Sequence, residues 1–145
     1  MLSIEYVDYN PKTTKYRKQQ RGRMTGLSSR GNNICFGKYA IKSLESTWIT
    51  AKQIEAGRKV MSRYIRHNGK IWIRIFPDKP ITSRSAEVRM GSGKGSIKLW
   101  VSVVKKNKII YEFNVLSFTL AKKIFKKVVG KIPIKTKFII SDLNK

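Results

Sequence analysis

Acidic residues are scarce in this chain of 145 residues: 8 Asp and Glu stand against 32 Lys and Arg, a formal net charge of +24. A surface that one-sided repels itself and calls for an external polyanion. Nucleic-acid phosphate is the commonest such partner, with counterion release supplying binding free energy. Solubility alone requires a net charge of only about 2–8, so the excess is read as a binding surface. Cysteine and histidine are rarer still. Cys35 is the only cysteine, which excludes a disulfide framework within the chain. With His67 as the only histidine, a zinc site built from Cys and His lacks its four ligands, and no other cofactor is called for. Cys–His or Ser–His–Asp catalysis would have to rest on His67 alone. No apolar run approaches the roughly 20 residues of a membrane span, so a membrane is not among the expected partners. The first residues carry Glu5 and Asp8 where a secretory signal has a cationic start, and transit peptides are poor in acids. Synthesis in the compartment of use is the expectation.

What is present is enough for a core. Hydrophobic residues make up 41% and aromatics 10%, too much for a wholly disordered tail and sufficient for one domain. The chain divides into a basic N-terminal arm, residues 1–33, and a single domain, residues 34–145. No acid occurs between Lys12 and Glu45. Lys12, Lys15, Arg17, Lys18, Arg21 and Arg23 are therefore candidate phosphate ligands of an arm that orders on nucleic acid. Tyr16 among them either stacks on a base or lies on the protein's own surface.

Residues 34–44 read as a hairpin or short strand pair around Gly37, with Phe36, Tyr39, Ile41 and Leu44 available for burial. A helix follows, with Thr50 as N-cap, Gln53 completing a capping box, and Ile49 and Ile54 placed as a hydrophobic staple. It is expected to run to about Asn68, where Asn68-Gly69 supplies a left-handed C-cap. Ile54, Gly57, Met61, Tyr64 and Ile65 share one side and Lys52, Lys59, Arg63 and Arg66 the other. The only nearby acid, Glu55, lies to one side, so the cationic row is read as a phosphate-binding face and not as i,i+4 pairing.

The stretch from Gly69 to Ser96 organises the rest. Ile71, Ile73 and Ile75 alternate with Trp72, Arg74 and Phe76 as a strand ended by Pro77, leaving Lys70 and Arg74 free for RNA. Asp78 fits a proline turn. After a polar run comes a long cationic loop, Arg89, Met90, Gly91, Ser92, Gly93, Lys94 and Gly95, held out toward a polyanion. Ile97 to Val104 and Ile109 to Phe113 read as an antiparallel hairpin turning at Lys105-Lys106-Asn107. Ser117 can cap a second helix that buries Leu120, Ala121, Ile124, Phe125 and Val128. Gly130 and Pro133 end it, and residues 134–140 form a last strand. The order points to an α+β fold, an antiparallel-rich sheet packed against two helices.

The glycine loop fails as a nucleotide cradle. A Walker loop would need Ser or Thr where Gly95 stands and Gly where Val88 stands, and the dinucleotide fingerprint fails at Ser96. The glycines instead permit positive φ and a close approach of backbone N–H groups to crowded RNA. The acids offer no paired spacing for acid–base chemistry, so the chain is read as a non-enzyme.

Several stretches carry a resemblance. They are Pro11-Lys12-Thr13-Thr14-Lys15-Tyr16-Arg17-Lys18, Arg21-Gly22-Arg23, Gln53-Ile54-Glu55-Ala56, the run Gly69-Lys70-Ile71-Trp72-Ile73-Arg74-Ile75-Phe76-Pro77-Asp78-Lys79-Pro80, Arg89 to Gly95, and Pro133-Ile134-Lys135-Thr136-Lys137-Phe138. Over residues 11–140 the chain resembles bacterial-type large-subunit ribosomal protein sixteen, counterpart of the eukaryotic large-subunit protein ten. The resemblance implies a non-catalytic ribosome component on large-subunit, 23S-type rRNA, between the central protuberance and the peptidyl-transferase centre, among neighbouring ribosomal proteins. It implies that the Arg89–Gly95 loop faces that centre and the A/P-site tRNA, and Arg89 matches an arginine that some bacteria hydroxylate. Gly22-Arg23-Met24, Arg30-Gly31-Asn32 and Ile34-Cys35-Phe36-Gly37 are similar to plastid members, which implies a chloroplast stroma ribosome ahead of a bacterial cytoplasm or mitochondrial matrix. Residues 4–10 look inserted, Gln20 stands where a histidine is common, and the second helix has lysines where relatives carry glutamates. Apart from the resemblance, the charge alone also fits a free RNA chaperone or nucleoid-type protein, and an RNA-modifying enzyme stands third.

Overall fold

The computed structural model describes residues 9–66 and 69–141. Its elements are β1 (Tyr39–Ser43), β2 (Thr47–Thr50), α1 (Ala51–Ile65), β3 (Gly69–Ile73), β4 (Lys79–Ser83), β5 (Ser96–Val104), β6 (Ile109–Val115), α2 (Phe118–Val129) and β7 (Thr136–Ile140). The strands form two antiparallel sheets, one of order β3-β6-β1-β7 and one of order β2-β5-β4. The class is α+β, as the element order implies, but the strands make two sheets and not one.

The helices cover one face of the four-stranded sheet because the sequence periods match. Cross-strand partners Tyr39↔Phe113 and Ile41↔Tyr111 share a face with Ile71 and Ile73 of β3. They pack in one cluster with Ile54, Met61 and Ile65 of α1 and Ala121, Ile124 and Val128 of α2. At Gly57 the helix approaches Tyr111 so closely that a Cβ would fall on its hydroxyl. That hydroxyl donates to the Ile54 carbonyl at 2.7 Å. The capping box of α1 forms as expected: the Gln53 amide N–H donates to Thr50 Oγ1 at 3.3 Å, and the Thr50 N–H to Gln53 Oε1 at 2.9 Å. Ile49 and Ile54, the staple pair, are both buried.

Four expectations change. Residues 34–44 hold one strand and no hairpin, and Phe36 and Leu44 are exposed. The reason is that residues 35–37 bond to the side chain of Glu112 instead of to a neighbouring strand. β5 and β6 do not pair with each other. Their connection is clamped by the buried Ser43: its hydroxyl donates to the Lys105 carbonyl at 2.7 Å and accepts from the Lys108 N–H at 3.2 Å, so the chain passes from one sheet to the other. The polar run after Pro77 contains β4, which pairs with β5, and the strand before it ends at Ile73. Finally, α1 stops at Ile65, with Arg66 taking φ 46° at the C-cap. His67 and Asn68 lie outside the described residues, as do residues 1–8, with Glu5, Asp8 and most of the 4–10 stretch, and residues 142–145, with Asp142. Ser117 takes the N-cap position of α2 without a capping bond; its hydroxyl meets that of Thr119 at 2.6 Å.

Candidate nucleic-acid interface

The arm carries its cations outward. Lys12, Lys15, Arg17, Lys18, Arg21 and Arg23 are all exposed. Tyr16 is 64% exposed, and the Lys15 ammonium lies 5.5 Å from its ring. The arm's main chain, by contrast, is tied to the domain. Lys18 Nζ donates to the Lys94 carbonyl at 2.7 Å, and Lys94 Nζ returns the bond to the Gln19 carbonyl at 2.6 Å. Lys79 Nζ donates to the Arg21 carbonyl. The Arg21 guanidinium and the Lys79 ammonium sit 5.5 and 5.6 Å from the Trp48 ring, within cation–π range. Farther on, the Ser28 N–H donates to Lys106 O and the Ile109 N–H to Gly31 O, both at 2.9 Å. The arm is thus positioned by carbonyl groups that basic side chains and turn amides seek out.

On α1, Lys52, Lys59, Arg63 and Arg66 are exposed together. Glu55 does pair, chiefly with Arg58, which lies outside that row; of the row itself only Lys59 comes near it. Glu55 is buried and accepts from Arg58 Nε at 2.8 Å and Nη2 at 2.6 Å, with Lys59 Nζ at 3.9 Å. The Arg58 hydrogen bonds hold the Glu55 carboxyl below its ordinary range against the opposing effect of burial. Tyr9 joins this group, and burial followed by its hydrogen bond to Glu55 pushes its hydroxyl up to about 12. Beside the first turn of α1, Tyr9, Trp100, Lys52, Lys59 and Lys98 line a groove of about 700 Å3. Tyr9, Lys98 and Trp100 are not legible as neighbours in the sequence, because strand alternation assigns Lys98 and Trp100 only a face. A second exposed row, Lys122, Lys123, Lys126 and Lys127, runs along α2, with the Lys123 ammonium 5.7 Å from the Tyr64 ring.

The glycine loop stands clear. Arg89 is exposed and Met90 95% so, while Gly91 and Gly93 take φ of 119° and 80° with open space around them. Ser92 between them also has positive φ, at 56°. At the loop base, a Cβ on Gly95 would strike the Ser83 carbonyl, which fixes where the loop leaves the sheet. Lys94 belongs to that base, bonded to the arm, and not to the tip. Arg89 remains as the cation of the loop's free part.

On the outer face of β3, Lys70 is exposed as expected. Arg74 is not free: its Nη1 donates to Glu112 Oε1, its guanidinium lies 5.1 Å from the Phe36 ring, and its side chain is 18% exposed. The other ion pairs among the described residues belong to Arg58, Lys59 and Lys135, leaving the remaining described cations without a carboxylate partner. Among the described residues no group of His, Cys, Asp or Glu could hold a metal ion, and no helix is long and apolar enough to cross a membrane.

The geometry is that of a cationic shell on a compact core. Comparison with known proteins agrees in kind. The family model described as ribosomal protein L16p/L10e matches residues 11–139. The chain is 59% identical over 133 residues to the large ribosomal subunit protein uL16c of Lepidium virginicum, covering 92% of this chain and 98% of that one. With the protein of the same name from Psilotum nudum it shares 62% over 130 residues, 90% of this chain and 93% of the relative.

Proposed function

We propose how a chain that belongs to the ribosomal protein L16p/L10e family divides its cations between holding rRNA and reaching the translating centre. The protein is a plastid-type structural constituent of the large ribosomal subunit, and membership replaces the reading of a free RNA chaperone. In our reading, Lys12, Lys15, Tyr16, Arg17, Lys18, Arg21 and Arg23 of the arm, Lys52, Lys59, Arg63 and Arg66 of α1, and Lys70 of β3 hold large-subunit rRNA, chiefly through phosphates. Arg74 contributes through its place under Phe36. The loop Arg89, Met90, Gly91, Ser92 and Gly93 reaches toward the peptidyl-transferase centre and A/P-site tRNA, with Lys94 and Gly95 setting its root. No side chain performs catalysis in this scheme; the chain shapes and neutralises RNA.

The observation that carries the division is the contrast between a loop tip with open space around it and an arm and helix whose cations are exposed along the domain's own surface. Two variants test it in ribosomes assembled with the full chain. Arg89→Ala is expected to enter the subunit at the wild-type level and to slow peptide elongation about two- to five-fold, since one charge-assisted hydrogen-bonding group is removed. The triple variant Lys52→Ala, Arg63→Ala, Arg66→Ala is expected to wash off subunits at lower salt, its salt slope reduced by about one for each phosphate it no longer neutralises. Loss of Arg89→Ala from the subunit would make the loop an anchor and overturn the division.

A further inference from the structure

We infer that Phe36, lying on Trp72 and Arg74, is a stacking platform for one unpaired RNA base; the inference rests on the rRNA reading above and names what a site outside the cationic shell would take. Trp72 pairs with Glu112 across β3 and β6, so both side chains rise on the sheet face opposite the helices. Residues 35–37 cross that face. Glu112, fully buried, accepts from the N–H groups of Cys35 at 3.2 Å, Phe36 at 2.7 Å and Gly37 at 3.1 Å, and from Arg74. One carboxylate therefore fixes both the main chain that carries Phe36 and the guanidinium beneath it.

The consequence is an aromatic ring that is rigidly placed yet left open. Phe36 stacks on Trp72 with centroids 6.1 Å apart and planes 20° from parallel, and the Arg74 guanidinium lies 5.1 Å from its centroid. Even so, Phe36 is 61% exposed. A phenylalanine serving only the core would turn inward, and residues 38–41 beside it do place Tyr39 and Ile41 in the core. Phe76, also exposed, follows on the same run, and Lys70 adds an exposed cation two residues before Trp72. A flat, open aromatic surface backed by a guanidinium, on a strand that also carries the exposed Lys70, is the chemistry that recognises a splayed-out base by its π-face, with little preference among bases. A duplex has no free base face to offer and should ignore the ring.

The test uses the full chain with Phe36→Leu and Phe36→Tyr, titrated with a 12-nucleotide oligoadenylate and with a 12-base-pair RNA duplex at one salt concentration. Phe36→Leu is expected to weaken single-strand binding about 5- to 100-fold, the range for removing one stack, while duplex binding and the salt slope stay as in the wild type. Phe36→Tyr, which keeps the plane, is expected to restore single-strand binding. Equal weakening on both probes, or none on the single strand, overturns the platform. If wild-type chain binds neither probe, the rRNA reading itself fails. In assembled large subunits, ultraviolet crosslinking from Phe36 or Trp72 should reach an unpaired nucleotide; a crosslink into a neighbouring protein overturns the proposal.

Discussion

Two irregular segments of this molecule are held by their main chains through charged side chains, one through a single carboxylate and one through two ammonium groups, and they differ chiefly in where those side chains sit. Residues 35–37 bring their N–H groups to Glu112, with the Phe36 bond at 2.7 Å and Glu112 at 0% exposure. Gln19 and Arg21 bring their carbonyl groups to Lys94 and Lys79 respectively, with the Gln19 bond at 2.6 Å and Lys94 exposed. The geometry is equally good in both places. What differs is the alternative offered by water. An exposed ammonium that loses its carbonyl regains a hydration shell, while the buried Glu112 carboxylate and the buried Gly37 amide, parted from each other, regain little. The comparison teaches that bond length does not rank these contacts, and burial does.

The strongest test acts on the buried side. Glu112→Ala leaves three N–H groups without their acceptor and the mostly buried Arg74 without its counter-charge. A loss of about 3–5 kcal/mol of unfolding free energy is expected, read from urea denaturation of the full chain. A loss under about 1 kcal/mol would mean that water readily replaces the Glu112 carboxylate at these N–H groups, and the contrast between the two segments would collapse.

The same contrast explains which parts were legible in the sequence. The capping box of α1 and its apolar face rest on neighbours three and four residues apart, and both stand where periodicity puts them. The α+β class follows from the same local signals. Glu112 lies 75 to 77 residues from the amides it gathers, and nothing in its spacing to other acids reveals a structural carboxylate. The hairpin expected of β5 and β6 failed for a related reason. Alternation shows that a segment is a strand with two faces, and it is silent on which strand lies beside it, so Ser43 could redirect the turn unseen. β4 was hidden because Pro80 and its polar neighbours lack the apolar alternation that marks a strand. At the candidate interface, the exposure of the arm and α1 cations was readable from the absence of acids. That Arg74 and Lys94 each engage a partner within the protein was not, since that partner is brought near only by the tertiary fold.

An intermediate case sharpens the ranking. Lys79 is half-buried, donates to the Arg21 carbonyl and lies against Trp48, so its stem is packed even where its charge is wet. Lys79→Met keeps most of that stem and removes the donor. A loss of about 1 kcal/mol is expected, with the Trp48 fluorescence shifted because both cations over the ring are disturbed together. An effect as large as that of Glu112→Ala would place the arm among the elements on which the fold depends.

Lys94→Met should have the smallest effect on global stability and a clear local one. Lys94 Nζ is exposed and its bond to Gln19 competes with water, so unfolding free energy is expected to change by no more than about 0.5 kcal/mol. The arm has few other ties near this point, the reciprocal Lys18 bond to the Lys94 carbonyl and the Lys79 bond to Arg21. Amide exchange and tryptic cleavage at Lys18 and Arg21 should therefore speed up several-fold in the variant, with exchange in β1 and β6 unchanged, because local opening of an exposed segment is governed by its own few bonds. If global stability fell while the arm's cleavage rate stayed constant, Lys94 would be supporting the β4–β5 sheet instead of the arm, and exposure would no longer predict what a main-chain clamp contributes.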